Sequence, residues 1–156
     1  MIALNFPPFD VRIKEAGKRL VIFDSIRKKY VALTPEEWVR QHLIHYIISE
    51  KSYPAALISV ETPMKYASMD KRSDVLVHDR NGHPLMLAEC KAPEIAITQK
   101  VFEQIAIYNH TIQAPCLMVT NGLQHYCLNA STDNSPARFL SEIPVYEELL
   151  KMKPDK

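Results

Sequence analysis

Ser73-Asp74-Val75-Leu76-Val77 and Pro84-Leu85-Met86-Leu87-Ala88-Glu89-Cys90-Lys91 are the two segments that decide how this chain folds. Each is an apolar run of strand length carrying a carboxylate near one end, and Asn81-Gly82 between them marks a turn. Two strands joined this way put Asp74 and Glu89 at one end of a sheet. Glu89 and Lys91 are two residues apart, so on a strand they face the same side. Leu85 and Leu87 share that side, and the acid therefore caps an apolar stripe. Two carboxylates beside an amine suit metal-assisted hydrolysis of a phosphodiester. The acids hold Mg²⁺, the metal lowers the pKa of a bound water, and the lysine orients that water or offsets charge developing on the phosphate. The plainer alternative is a surface hairpin whose Asp, Glu and Lys pair weakly in water.

Working outward, Thr98 to Thr111 places Val101, Ile105 and Tyr108 on one face, the pattern of an amphipathic helix. Gln104 and Tyr108 are four residues apart and share a helical face. Upstream, Thr34-Pro35-Glu36-Glu37 is a helix start, with Thr34 at the N-cap, proline at the first position and Glu37 completing a capping box. That helix should run through Trp38, Leu43, Ile44 and Ile47 to Ser49. Leu57 to Glu61, Cys116 to Thr120 and His125 to Leu128 read as further strands, and Val11 to Asp24 as a hairpin around Ala16-Gly17-Lys18. Asn129 to Pro136 is polar loop, and Glu142 to Met152 a terminal helix. The expectation is one α/β domain over residues 1–156. Residues 1–30 form an N-terminal β-hairpin addition, residues 34–129 a mixed central sheet flanked by helices in the order αβββαβ, and residues 141–152 the C-terminal helix.

Asp74, then Glu89-Cys90-Lys91, then Gln104-Ile105-Ala106-Ile107-Tyr108 resembles the PD-(D/E)xK nuclease superfamily. The trailing Gln-x-x-x-Tyr is similar to the branch holding the N-terminal nuclease domain of type I restriction motor subunits and the RecB-type nucleases. The likeness spans about Thr34 to Asn129, and Ser73 departs from it by standing where proline often precedes the aspartate. It implies a Mg²⁺-dependent DNA endonuclease of restriction type, with Mn²⁺ as a substitute metal. Asp74 and Glu89 would be metal ligands, the backbone carbonyl of Cys90 a third, and Lys91 the residue that positions or activates the water. Gln104 and Tyr108 would contact the nucleic-acid backbone or brace the catalytic groups; a core tyrosine is the other reading of Tyr108. The family often carries an acid on the helix before the sheet that joins the metal site, a pattern that Glu37 with Arg40 resembles; Arg40, Lys65 and Lys100 would be further substrate contacts. Capping alone would also explain Glu37, and Glu36 is the weaker candidate.

Composition bounds the remaining options. Nineteen basic and eighteen acidic residues leave a net charge of +1, too little for a general field that attracts nucleic acid. A DNA-binding face must be local, and Lys65, Lys71, Arg72, Lys91 and Lys100 around the proposed site are either such a patch or scattered solvated cations. Cys90, Cys116 and Cys127 are odd in number and lack metal-type spacing, so reduced thiols in a cytoplasmic protein are expected. No apolar run is long enough to span a bilayer and no signal-type start is present, which argues against a membrane partner. His42 and His45, three apart on the first helix, lack further ligands for a rival metal site. Three glycines and the absence of Gly-x-Ser-x-Gly leave no phosphate-cradling loop or serine triad. DNA is the expected partner, with helicase or methyltransferase subunits of a larger complex as further candidates and a homodimer left open. Two other functions remain: a catalytically silent nucleic-acid-binding module, and a structural subunit of a restriction or repair complex.

Overall fold

Thr34 begins the first long helix, α1 (Pro35–Ser49), by accepting a hydrogen bond from the Glu37 backbone N–H at 3.0 Å. Half of the expected capping box is missing, however. The Thr34 N–H donates to the Ala32 carbonyl at 3.1 Å, which frees the Glu37 carboxylate to turn inward. Val39, Leu43, Ile44 and Ile47 are buried along α1, the apolar stripe that seats it on the sheet. This computed structural model describes residues 1–66, 69–130 and 136–152, with the side chains of residues 62–73 outside the described set.

Before α1, β1 (Ile13–Ala16), β2 (Arg19–Asp24) and β3 (Lys29–Ala32) form a small antiparallel sheet in the order β1-β2-β3. Gly17 takes φ +66° in the two-residue β1–β2 turn, a conformation that suits glycine and matches the twist of a tight hairpin. The hairpin anticipated over Val11 to Asp24 is present, and β3 extends it. Lys28-Lys29-Tyr30 conceals that third strand from an apolar-pattern reading.

The main sheet follows α1: β4 (Ile58–Tyr66), β5 (Met69–His78), β6 (Pro84–Cys90), β7 (Cys116–Thr120), β8 (His125–Asn129) and β9 (Arg138–Leu140), in that spatial order. All neighbours are antiparallel except β6 and β7, which are parallel and joined through α2 (Gln99–Ile112), as a parallel pair requires a crossover. The anticipated αβββαβ series is therefore α1, β4, β5, β6, α2 and β7. Strands β4 and β5 run longer than their apolar cores because Pro63 lies on an edge strand, where a missing N–H is tolerated. Asn81-Gly82 falls within a five-residue loop in which the buried Asp79 accepts from the backbone N–H of Asn81 and of His83.

Two cores sandwich the sheet. Val39, Leu43, Ile44 and Ile47 of α1 pack with Val75, Val77, Ala88, Cys90 and Met118 on one face, joined by Leu149 of α3 (Tyr146–Lys151). On the other face Ile105 of α2 meets Leu76, Leu87, Leu117 and Val119. The anticipated helix from Glu142 is shorter, because Pro144 holds Ile143 out of the helical region and Val145 becomes the cap. Cys90, Cys116 and Cys127 are free and buried. Among the described residues no helix is long and apolar enough to cross a membrane.

The layering makes a direct prediction. Ile44→Ala, at a fully buried position, should lower unfolding free energy by about 2–5 kcal/mol. Ile107→Ala on the exposed side of α2 (42% exposed) should stay within about 0.5 kcal/mol. Urea denaturation of both variants checks which helix faces are buried.

Candidate active site

Register brings the acids together. Val75 pairs with Ala88 at the end of the β5–β6 ladder, and Asp74 and Glu89 are the next residues of the two strands, just beyond it. On the opposite side, Val60 pairs with Val75 and Thr62 with Ser73, which sets Glu61 across from Asp74. Three carboxylates thus stand in a row across β4, β5 and β6. Like charges in neighbouring positions repel, and the surroundings show how the row is held. Asp74 Oδ1 accepts from Arg40 Nη2 at 3.1 Å, and Oδ2 accepts from the Cys90 backbone N–H at 2.7 Å. Glu89 Oε2 pairs with Lys91 Nζ at 3.2 Å. Glu61 lies 3.5 Å from Arg40 and 3.6 Å from Arg27. Its backbone adopts φ +50°, a left-handed conformation that a glutamate seldom takes and that persists only where neighbours enforce it.

The titration behaviour follows from this crowding. Burial pushes the Glu89 carboxyl up to about 7, Asp74 adds to the effect, and Lys91 opposes it. Asp74 is also pushed up by burial, against the pull of Arg40 and of the Cys90 amide. Both shifts are led by burial, which favours the protonated carboxyls over their charged forms. Burial works against the charge on Lys91, but Glu89 outweighs it and the ammonium is held. Cys90 has its thiol in the α1-side core, on the opposite face from Glu89 and Lys91.

On α1 the structure distributes the acids differently from the local capping rule. The Glu37 carboxylate is occupied by Arg40, by Arg27 Nη2 at 3.0 Å and by Gln41 Nε2 at 2.9 Å. In this arrangement it braces Arg40, which in turn bonds Asp74. Arg40, expected as a substrate contact, is buried and ringed by Glu36, Glu37, Glu61 and Asp74. Its guanidinium is spent on the protein's own acids. Glu36 is half-exposed, and its carboxyl is raised by burial and then by the field of Asp74. The acid of α1 that senses the Asp74 end of the sheet is thus Glu36.

The remaining candidates are scattered more widely. Tyr108 is half-buried against Leu76, Leu87 and Ile105 on the α2 side of the sheet, and Gln104 is exposed on the same helix. Lys100 is exposed at the start of α2. The side chains of Lys65, Lys71 and Arg72 lie outside the described residues. His42 Nδ1–H donates to the Trp38 carbonyl (2.8 Å), and His45 stacks on Phe9 with ring centroids 3.9 Å apart. Burial lowers both imidazole pKa values, so they serve as neutral aromatic packing. Among the described residues no three His, Cys, Asp or Glu side chains form a ready-made metal cage.

Glu61, Arg27 and Gln41 were not found by sequence reasoning. Glu61 ends a strand segment whose partner register the sequence does not reveal. Arg27 reaches the site from the β2–β3 turn, where Asp24 pairs with it. Gln41 is signalled only by its four-residue spacing from Glu37.

Comparison with known proteins places this arrangement in a family. The fold is similar to that of a fragment assigned as the HsdR subunit of a type I restriction enzyme from Vibrio vulnificus, with a TM-score of 0.56 and 20% identity. That likeness covers 77% of this chain and 25% of the other, so the chain corresponds to about a quarter of that relative. A comparison with curated proteins returns no match. Residues 35–144, from the start of α1 to the edge of α3, match the family described as type I restriction enzyme R protein N terminus, and the chain belongs to that family.

Proposed function

We propose that this domain hydrolyses DNA phosphodiester bonds with a divalent cation, Mg²⁺ or in its place Mn²⁺, as the nuclease part of a type I restriction system. The observation that carries the reading is the placement of Asp74 and Glu89 just beyond the Val75–Ala88 pair, with Lys91 at 3.2 Å from Glu89, in a chain of the restriction R-subunit N-terminal family. The donor set fits a hard cation. Asp74 and Glu89 would hold it together with the Cys90 carbonyl, and waters would complete the shell, as Mg²⁺ prefers. Glu36 or Glu37 could join through α1. When bound, the cation supplies Lewis-acid activation of a water and of the scissile phosphate.

The protein's own groups account for the rest. Arg40 holds one oxygen of Asp74 and the Cys90 amide the other, which fixes the carboxylate before substrate arrives. Lys91 is kept charged by Glu89, Glu36 and Asp74 and would offset negative charge growing on the attacked phosphate. Gln104, exposed on α2, and Tyr108 would steady the nucleic-acid backbone. Motor and methyltransferase subunits are the partners such a domain would work with.

Three outcomes test this reading. Calorimetry should show Mg²⁺ or Mn²⁺ binding that disappears in Asp74→Ala, with plasmid cleavage lost in parallel. Lys91→Ala should leave DNA affinity nearly intact and slow cleavage by at least about a hundredfold, the scale of removing one transition-state contact. Unchanged cleavage in both variants would remove the nuclease assignment, whereas DNA binding without cleavage by the unaltered protein would favour the silent binding module. Gln104→Ala should reduce cleavage with little change in melting temperature.

The raised Glu89 pKa gives a metal-free test. Folded Glu89 keeps its proton up to about pH 7, while the unfolded chain releases it near the ordinary glutamate value of about 4.3. The native state binds more protons across that window, so stability is greatest below it and falls as pH rises through it. The loss is on the order of 3–4 kcal/mol. Glu89→Gln in chelator should flatten this part of the stability–pH curve measured by urea unfolding. A curve of unchanged slope would show that Glu89 is not the group responsible.

A further inference from the structure

Charge in this chain is segregated. Residues 11–32 contain seven basic and two acidic residues, and the rest of the chain twelve basic and sixteen acidic. The near-neutral total therefore hides a strongly basic N-terminal sheet attached to an acidic body. Register sorts its side chains onto two faces. Lys14 lies opposite Val21, Ala16 opposite Arg19, and Phe23 opposite Tyr30, and the Phe23 N–H donates to the Arg12 carbonyl at 2.9 Å, which extends the ladder by one rung. One face thus presents Arg12, Lys14 and Arg19 together with Phe23 and Tyr30. The acids Glu15 and Asp24 fall on the other face.

The cations and rings on that face are interleaved. Arg12 lies over the Phe23 ring at 5.2 Å, Lys14 over the Tyr30 ring at 4.1 Å, and the two rings meet edge-on at 5.3 Å. Arg12, Lys14 and Arg19 are exposed and Tyr30 is 38% exposed. Among the described residues none of these three cations has a carboxylate partner within ion-pair distance, unlike Arg27 and Arg40. Unpaired cations beside an exposed ring are the combination that binds single-stranded nucleic acid, with phosphates on the cations and a base on Tyr30, which the half-buried Phe23 backs. A duplex keeps its bases stacked inside and offers nothing to Tyr30.

The sheet is also tied to the acid row. Its β2–β3 turn carries Arg27, which reaches Glu37 at 3.0 Å and Glu61 at 3.6 Å. The Phe23–Tyr30–Arg12 rung is the one nearest that turn, and Lys14 and Arg19 lie progressively farther out. The geometry points to this basic–aromatic face as a docking platform for single-stranded DNA, one that leads a strand toward the Asp74–Glu89 site. The assignment of DNA as the polymer rests on the proposed nuclease reading; the single-strand preference rests on the sheet alone.

The test is fluorescence anisotropy of the full chain with a labelled single-stranded oligodeoxynucleotide, its duplex and the matching RNA strand, all in chelator so that no cleavage occurs. Arg12→Ala/Lys14→Ala/Arg19→Ala should weaken single-strand binding more than tenfold and reduce its salt slope by about two units. Tyr30→Ala should weaken it by roughly 5- to 100-fold at unchanged salt slope, leave duplex binding unaltered, and be rescued by Tyr30→Trp. Circular dichroism confirms that each variant is folded. Equal losses for duplex and single strand, or no loss in Tyr30→Ala, would overturn the stacking platform, and preference for the RNA strand would overturn DNA as its occupant. Cleavage assays with Mg²⁺ separate the two readings: intact platform binding without cleavage defeats only the nuclease assignment, and cleavage without platform binding defeats only this one.

Discussion

The buried guanidinium of Arg40 is the charge on which the candidate site depends. It leaves α1, is 3% exposed, and meets Glu36, Glu37, Glu61 and Asp74. Burial works against its charge, but Glu37, Asp74 and Glu61 outweigh that and hold it protonated. Without it, three carboxylates from adjacent strands would share a low-dielectric end of the sheet with only Lys91 and Arg27 to offset them. A buried cation of this kind contributes little net stability against an apolar replacement, yet removing it alone is costly because its partners stay buried. Its return is positional, since one residue ties the first helix to the central strand at the rung where Asp74 stands. Nε of Arg40 and Oε1 of its neighbour Gln41 are buried without hydrogen-bond partners among the described residues. The network is therefore optimised for aiming carboxylates and not for satisfying every polar atom.

Glu37 shows how a local rule yields to a tertiary one. Position and residue type fit a capping box, and Thr34 does cap the helix. The reciprocal bond is not made, because Arg27 and Arg40 offer the carboxylate charged donors in a buried setting. A bond to either guanidinium adds the attraction of a full opposite charge, which the backbone N–H at the cap does not carry. The Thr34 N–H is satisfied by Ala32 instead, so the exchange leaves no orphan donor.

Legibility in the sequence tracked how local each signal was. The order of α1, β4, β5, β6, α2 and β7 was readable because each element carries its own apolar period and the stops between them are marked by Asn, Gly, Thr or Pro. Asp74, Glu89 and Lys91 were readable for the same reason: parity along one strand places Glu89 beside Lys91, and a turn brings back Asp74. Elements lacking an apolar period escaped. Strand β3 is written Lys29-Tyr30-Val31-Ala32, and β9 is three residues, too short for alternation to show. Glu61 escaped because its role depends on the register between β4 and β5, which no residue type announces. The C-terminal helix was placed correctly but begun too early, since the restriction that Pro144 imposes on Ile143 was given no weight.

Net charge misled for a related physical reason. A sum of +1 is silent about field, because the field at a surface depends on which charges are neutralised at contact distance and which are left open. Much of the acid here is committed: Asp24 to Arg27, Glu37 to Arg27 and Arg40, and Asp74 to Arg40. These pairs consume two arginines near the site and leave the cations of the outer sheet face uncompensated. Strand parity then separates what the sequence interleaves, sending Lys14 and Arg19 to one side and Glu15 to the other although all three lie within six consecutive residues. An acidic site able to attract a metal and a basic face able to attract a polyanion can therefore coexist on one small, nearly neutral chain. Each lies on a separate sheet, and the turn between β2 and β3 connects them, through Arg27 paired with Glu37 and Glu61 and through Ile26 packed against the main core.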